Sequence, residues 1–201
     1  MRRLRRTVAA AVLSCAGFST AETASVVAAA SILAATAAPK IEDYLASARI
    51  VKATGDTRVI ALSIVRLSAH VGRIQGAGKV APELLISDGD IPTAIDRSSE
   101  PWTAPPKDPA VQPIASHLID NTAGYKTGRD EVMRWRGPYV DKLTSDPWGL
   151  RYAVNIGLLA DGEYLVLVVS AGPDRVLNTP YRMSGLTRRG DDVIGLIGRG
   201  R

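Results

Sequence analysis

Apolar residues are concentrated near the start of the chain, where they form one long run. From Ala24 to Ala38 the only interruptions are three hydroxyl residues, and the run counted from Phe18 has 21 residues. A helix of that length can cross a hydrocarbon core, which is about 30 Å thick. We therefore predict a transmembrane helix over residues 18–38. The positive-inside rule assigns to the cytoplasm the residues that precede it, which include Arg2, Arg3, Arg5 and Arg6.

After Pro39 the apolar pattern changes to the spacing of an amphipathic helix. Apolar residues recur at helical intervals, with charged residues between them, at Ile41, Tyr44, Leu45, Ala48, Ile60, Ile64, Leu67 and Val71. We predict that this face packs against a globular domain. The helix, residues 39–72, is expected to end near Gly72.

Prolines and glycines dominate residues 73–136, which predicts a loop-rich segment with a short helix around residues 110–121. Apolar runs bounded by turn residues return after Gly137. They predict a turn at Asp146–Gly149, followed by strands at Arg151–Asn155, Tyr164–Ser170 and Asp192–Ile197. Strands so close in sequence predict a small antiparallel sheet, residues 137–201, packed on the helix in an α+β fold.

The net charge of +5 lies mostly in the four arginines at the N-terminus, so the remainder of the chain carries a charge of about +1. The aromatic residues are not interleaved with Lys or Arg as in a base-stacking surface. The composition therefore argues against nucleic-acid binding.

The residue types of common catalytic sites are sparse in this chain. Neither His70 nor His117 has a His, Cys or acid at the spacing of a zinc site, and the sequence has no nucleophile elbow or phosphate loop. The lone cysteine, Cys15, lies in a first, shorter apolar run that precedes the predicted transmembrane helix, and it allows no intramolecular disulfide. An enzyme is not predicted.

The residues from Gly17 to Glu22, Gly-Phe-Ser-Thr-Ala-Glu, resemble the processing motif of type IV pilins and type II secretion pseudopilins. The similarity continues to Arg49. It implies that residues 1–17 are a leader, that a prepilin peptidase cuts after Gly17, and that the new N-terminus at Phe18 is methylated. It also implies a role in assembly for Glu22, whose carboxylate would pair with the N-terminus of a neighbouring subunit. Removal of the first apolar run by a conventional signal peptidase, or lipidation at Cys15, is the alternative for the leader.

The stretch from Gly137 to Ile197 is similar to the C-terminal part of the major pseudopilin, which has a calcium-binding loop. Asp174, Asp191 and Asp192 match its acidic positions, and hard oxygen ligands suit calcium. In this chain Arg175 stands where a glycine is usual. Read from spacing alone, the same aspartates are turn formers and solvated charges.

The resemblance implies a pilin-like fold and a pseudopilin subunit of a type II protein secretion system. Such a chain would be a single-pass protein of the bacterial inner membrane, with its C-terminal domain in the periplasm and a homo-oligomeric filament as its working form. Its expected partners are the prepilin peptidase, other pseudopilins, inner-membrane assembly proteins and membrane lipid. One alternative is a membrane-tethered or secreted periplasmic binding module with a pilin-like fold that does not polymerise. Another is a subunit of an adhesive or DNA-uptake pilus.

Overall fold

The computed structural model describes residues 19–75, 80–187 and 189–200. Its contacts divide the chain into two compact units, Met1–Tyr44 and Leu45–Arg201. The predicted leader, together with the processing residues Gly17 and Phe18, lies outside the described part.

Helix α1, Thr20–Val71, is the dominant element and has 52 residues. Its backbone stays helical through Pro39. In the first unit all the side chains that the structure describes are exposed, including Val26, Val27, Ile32 and Leu33. Within the described chain this is the one helix long and apolar enough to cross a membrane.

In the second unit α1 packs with one face against the sheet. The residues buried on that face follow spacings of four and three, at Ala53, Thr57, Ile60, Ile64 and Leu67. The helix ends at Val71, and Gly72 follows with a positive φ of 73° while its N–H donates to the carbonyl of Ser68. The predicted end near Gly72 is thereby confirmed.

The prediction that the residues near the start of this face pack against the globular domain is wrong. Ile41, Tyr44 and Leu45 are 57%, 76% and 51% exposed, because the buried face of α1 begins only at Ala53. The apolar residues of the amphipathic pattern are therefore buried or partly buried from Ile60 onwards, whereas those at positions 41–48 are exposed.

A five-stranded sheet forms the centre of the second unit, in the order β3-β1-β4-β5-β7. Its strands are β1 Leu84–Ile86, β3 Val111–Pro113, β4 Ala153–Val154, β5 Leu165–Ser170 and β7 Val193–Arg199. A separate two-stranded sheet pairs β2, Thr93–Ala94, with β6, Val176–Leu177, in parallel. The three predicted strands are confirmed as β4, β5 and β7, and their pairings are antiparallel as expected.

The sheet is mixed, which corrects the prediction of an antiparallel one. β1 pairs in parallel with β3, with Leu84 opposite Val111 and Ile86 opposite Pro113. Both strands lie in residues 73–136, as does helix α2, Ile114–Leu118. A parallel pair needs a long crossover connection, and here the crossover is the proline-rich stretch that reads as irregular in sequence.

A layer of loops covers the face of the sheet opposite α1. Adjacent residues of an extended chain point to opposite faces. Tyr152 accordingly donates to the Asp56 carboxylate of α1 at 2.8 Å, whereas Arg151 donates to the carbonyls of Trp102 and Ala104 at 2.7 and 2.8 Å. The Trp102 indole is fully buried and donates to the Thr179 carbonyl at 2.9 Å. Burial lowers the pKa of Arg151, which is 1% exposed.

Helix α2, which directly follows β3, carries a buried histidine. His117 is 0% exposed, and its Nδ1 lies 2.7 Å from the Tyr125 hydroxyl while its Nε2 lies 3.3 Å from Oε1 of Gln112. Burial lowers the pKa of His117 to about 4 from its ordinary 6.5. The folded chain therefore holds this imidazole neutral.

We expect His117 to make the fold acid-sensitive. Because its pKa is lower in the folded than in the unfolded chain, its contribution is present above pH 6.5 and is lost as the pH falls to 4, by about 3 kcal/mol. Urea unfolding of the full chain in detergent at pH 7 and pH 4.5 measures this. Relative to wild type, His117→Gln should shift the change in unfolding free energy between pH 7 and pH 4.5 in favour of the folded chain at pH 4.5, and His70→Gln should not. Equal pH dependence in His117→Gln and wild type would contradict the assignment.

Candidate functional site

The start of α1 is fixed by a reciprocal pair of hydrogen bonds between Ser19 and Glu22. The backbone N–H of Ser19 donates to Oε2 of Glu22 at 2.9 Å, and the backbone N–H of Glu22 donates to Oγ of Ser19 at 3.2 Å. This is a capping box, in which a serine and a glutamate three residues later satisfy free N–H groups of the first turn. Its sequence signal, Ser-x-x-Glu, is present in the chain, but the prediction assigned Glu22 to assembly alone.

The structure gives Glu22 a local role that needs no partner molecule. Its side chain is exposed, and only one of its carboxylate oxygens has a hydrogen-bond partner among the described residues. The other oxygen can accept a further bond without breaking the capping box. Helix capping and a contact with another molecule are therefore compatible at this residue.

The two loops that carry the predicted calcium ligands pack tightly on each other. Gly172 has a φ of 73°, and a Cβ at this position would collide with the backbone oxygen of Asp191. Gly190 has a φ of 58°, and a Cβ there would collide with the Asn178 side chain. The close approach brings the segment of Asp174 next to that of Asp191 and Asp192.

Asp192 is the buried member of the three aspartates, with 1% exposure. Its Oδ2 accepts hydrogen bonds from the backbone N–H groups of Asn178 and Thr179 at 3.0 and 2.6 Å. Its Oδ1 is buried and has no hydrogen-bond partner among the described residues. Burial raises the pKa of Asp192 to about 6, and the negative charge of Asp174 contributes to the rise.

Asp174 and Asp191 are exposed, unlike Asp192. Oδ1 of Asp174 accepts from the backbone N–H of Val176 at 3.0 Å, which is the bond of a turn. In the chain that the structure describes, no three His, Cys, Asp or Glu side chains are grouped as metal ligands. The structure thus brings together the two segments that carry these aspartates, and the prediction of a calcium site stays a prediction.

Arg175 does not direct its charge at Asp192. It has a φ of 65°, and its Nη1 donates to the Trp148 carbonyl at 2.8 Å while Nη2 lies 3.6 Å from Oδ2 of Asp90. Arg175 thus connects the loop to the neighbouring turn. This contact accounts for an arginine at a position where the resemblance suggests glycine.

The predicted turn at Asp146–Gly149 is confirmed and supports the same loops. The N–H of Gly149 donates to the carbonyl of Asp146 at 3.0 Å, and Oδ1 of Asp146 accepts from the N–H groups of Trp148 and Leu150. Its Oδ2 accepts from the Ser170 hydroxyl at 2.6 Å. Sequence reasoning found the turn but missed this buried carboxylate as the link to β5.

A cavity with a volume of about 510 Å³ lies beside the loop layer. Its wall carries charges of both signs, from Glu83, Arg97, Asp108 and Arg182. The histidines are elsewhere: His117 bonds to Tyr125, and Nδ1 of His70 lies 3.0 Å from the Tyr139 hydroxyl. The cavity wall therefore combines no histidine with a nucleophile.

No protein-family model, curated protein or solved structure matches this chain. Inference about its function therefore rests on the fold and on the geometry of its residues.

We expect Asp192→Asn to stabilise the chain at neutral pH. The raised pKa means that the ionised carboxylate is disfavoured by folding, a cost of up to about 3 kcal/mol at pH 7 that disappears as the pH falls through 6 towards 3.8. The variant should therefore raise the unfolding free energy at pH 7 and have little effect at pH 4. The unfolding free energy at the two pH values is measured by urea unfolding without divalent cations. Asp141→Asn, at an exposed aspartate, is the control. A lower unfolding free energy of Asp192→Asn than of wild type at pH 7 would contradict the prediction.

Proposed function

We propose that this chain is a pseudopilin-like filament subunit of a type II protein secretion system. The observation that carries the proposal is helix α1 itself. Its first part is apolar and exposed, and its second part is packed on a small sheet. An apolar helix that finds no cover within its own unit is suited to lipid or to other helices.

In this proposal the first unit lies in the bacterial inner membrane, with the chain crossing once and the second unit in the periplasm. The leader is cut after Gly17 by a prepilin peptidase, and Phe18 becomes the methylated N-terminus. The Glu22 carboxylate pairs with the N-terminal amine of a neighbouring copy. One oxygen of this carboxylate has no hydrogen-bond partner among the described residues and is free to make the contact. A carboxylate at membrane depth is costly without a charged partner, which supports this role.

The function in this proposal is mechanical. Copies of the chain assemble through their helices into a periplasmic pseudopilus, with other pseudopilins and inner-membrane assembly proteins as partners. Growth of the filament helps to move folded proteins outward, and a separate cytoplasmic ATPase supplies the energy. In this proposal the chain contributes contacts between subunits and catalyses no reaction.

We expect the protein recovered from membranes of its host to begin at methylated Phe18, as measured by intact mass and N-terminal sequencing. Glu22→Gln should be processed and inserted but should lose filaments, because glutamine can still form a capping box but carries no charge. Glu22→Ala loses both the cap and the charge. Filament yield is measured by sedimentation after the periplasmic contents have been released.

The contrast between the two variants separates the roles of Glu22. Loss of filaments in Glu22→Gln supports charge pairing, whereas normal filaments in Glu22→Gln and loss in Glu22→Ala would reduce Glu22 to a helix cap. A chain that begins elsewhere, for example after Ala38 or with a lipid on Cys15, contradicts the pilin pathway. It would leave a periplasmic module that does not polymerise.

We further propose that the loops around Asp192 bind calcium. The buried Oδ1 of Asp192, which has no partner among the described residues, fits a cation because an unpaired buried carboxylate oxygen is costly. Asp174 and Asp191 lie on the adjoining segments and would complete the charge together with backbone carbonyls. Bound calcium would stabilise the ionised form of Asp192 and so hold the two loops together.

In detergent at pH 7, the full chain should unfold at a higher temperature with calcium than with a chelator. The rise should be lost in Asp192→Asn, reduced in Asp174→Asn and in Asp191→Asn, and preserved in the control Asp141→Asn. Because calcium competes with protons for Asp192, the effect should weaken as the pH falls through 6. An equal rise in Asp192→Asn and wild type would place calcium elsewhere.

A further inference from the structure

The cavity beside the loop layer lies entirely within the second unit and is bounded by two walls. One wall, which we call the loop wall, is formed by residues of the segments 97–104 and 180–182. The other, the strand wall, is formed by residues of the segments 83–84 and 108–111, at the starts of β1 and β3. The volume of about 510 Å³ is within the range of about 300–1,000 Å³ that is usual for small-molecule sites.

The charged residues of this cavity are sorted by sign between the two walls. Arg97 and Arg182 belong to the loop wall, whereas Glu83 and Asp108 belong to the strand wall. None of the four takes part in the three ion pairs within the described part of the chain. The cavity therefore presents two cations and two anions that do not neutralise each other by direct contact.

Tyr181 holds the two walls at a fixed distance from each other. Its N–H donates to the Ser98 carbonyl at 2.8 Å, and its hydroxyl donates to the Glu83 carbonyl at 2.8 Å. Its ring packs edge-on against the buried Trp102, with 4.9 Å between the ring centroids. The buried Arg151 holds the carbonyl of Trp102 from behind. A cavity whose walls are fixed before binding loses little freedom when a ligand enters it.

The strand wall has its own set of hydrogen bonds. The carbonyl of Ala110 accepts from the N–H groups of Glu83 and Leu84 at 2.9 and 3.2 Å. Oδ1 of Asp108 accepts from the N–H of Ala110 at 2.9 Å. These bonds fix the backbone on which both acids of the cavity are placed.

The hydroxyl of Tyr181 lies within the electrostatic reach of both signs of charge. Burial raises the pKa of Tyr181, the negative charge of Glu83 raises it further, and the positive charge of Arg182 lowers it. One residue of each wall thus acts on the same group. The two opposite charges lie on either side of one buried side chain and remain unpaired with each other.

A ligand that matches this cavity carries a negative group for the loop wall and a positive group for the strand wall. The lining between the charges includes the apolar side chains of Leu84, Pro101 and Val111. A short peptide with free termini has this distribution, and an extended tripeptide separates its two charges by about 10 Å. A free amino acid carries both charges around a single carbon atom, which is too short for groups that are held apart.

We propose that the cavity binds a short peptide with free termini. Its C-terminal carboxylate lies at Arg97 and Arg182, because a guanidinium pairs with a carboxylate through parallel N–H groups. Its N-terminal ammonium lies at Glu83 and Asp108. This site uses residues of the second unit alone and is independent of the proposed function.

The first test is calorimetric titration of the full chain in detergent at pH 7 and low salt, with tri-alanine as the probe. We expect saturable binding of one peptide per chain. Binding should be at least tenfold weaker for alanine and for tri-alanine blocked at both ends, because each lacks contacts to charged groups. No saturable binding of tri-alanine at millimolar concentrations overturns the proposal, as does equal binding of the blocked peptide.

The second test assigns each terminus to its wall. Arg182→Gln should weaken the binding of tri-alanine about tenfold and leave the binding of its C-terminal amide unchanged, since the amide has no carboxylate to lose. Glu83→Gln should weaken the binding of tri-alanine and leave that of N-acetyl-tri-alanine unchanged.

The controls for these variants are Arg129→Gln and Glu163→Gln, at exposed residues outside the cavity. Both should bind tri-alanine as wild type does, and all four variants should keep the unfolding temperature of wild type because the four side chains are exposed. Equal losses in the cavity variants and in the controls overturn the site, because binding would then follow net charge alone. Losses that do not depend on which terminus is blocked overturn the proposed orientation of the peptide.

Discussion

Packing of the buried face of α1 on the sheet is the interaction on which the rest of the second unit depends. It buries Ile60, Ile64 and Leu67 completely, and burying each such side chain contributes about 1.5–3 kcal/mol. The approach is close because β7 has a glycine at the contact: a Cβ on Gly195 would come within 2.7 Å of the Thr57 carbonyl oxygen. The sheet in turn holds the loops around Asp192 at the start of β7. One helix face therefore positions the candidate cation loops.

Backbone contacts, more than side-chain attraction, set the geometry around Asp192. Glycine at positions 172 and 190 lets the two loops meet, and Asp146 joins the preceding turn to β5 through Ser170. This leaves Asp192 buried with one carboxylate oxygen satisfied twice and the other without a partner in the described chain. His117 lies at a different place in the fold and responds to acid in the opposite way. Protonation of His117 lowers the stability of the folded chain, whereas protonation of Asp192 raises it. The two contributions to the pH dependence of stability therefore partly cancel.

The sequence predicts those parts of the fold in which apolar residues repeat over several positions. β5 and β7 are long enough for their apolar runs to be recognised, and the helix end is marked by Gly72. β1 has only three residues and lies among prolines, so no periodicity can reveal it or its parallel partner. For the candidate site, sequence identifies Asp192 but not its burial, because burial depends on backbone contacts made by residues far apart in the chain. The Ser19–Glu22 capping box, by contrast, has a local signal that sequence alone can reveal.

The strand order has a consequence for the route by which the chain reaches its folded state. β1 and β3 precede β4 and β5 in sequence, but β1 is joined to the rest of the sheet only through β4, and β4 is joined onward only through β5. Strands of two or three residues have too few hydrogen bonds to persist alone. A chain delivered across a membrane from its N-terminal side would therefore keep most of its domain unfolded until β5 emerged. Under the proposed function, export would therefore end with cooperative folding of the domain, and partly exported chains would remain accessible to chaperones and proteases.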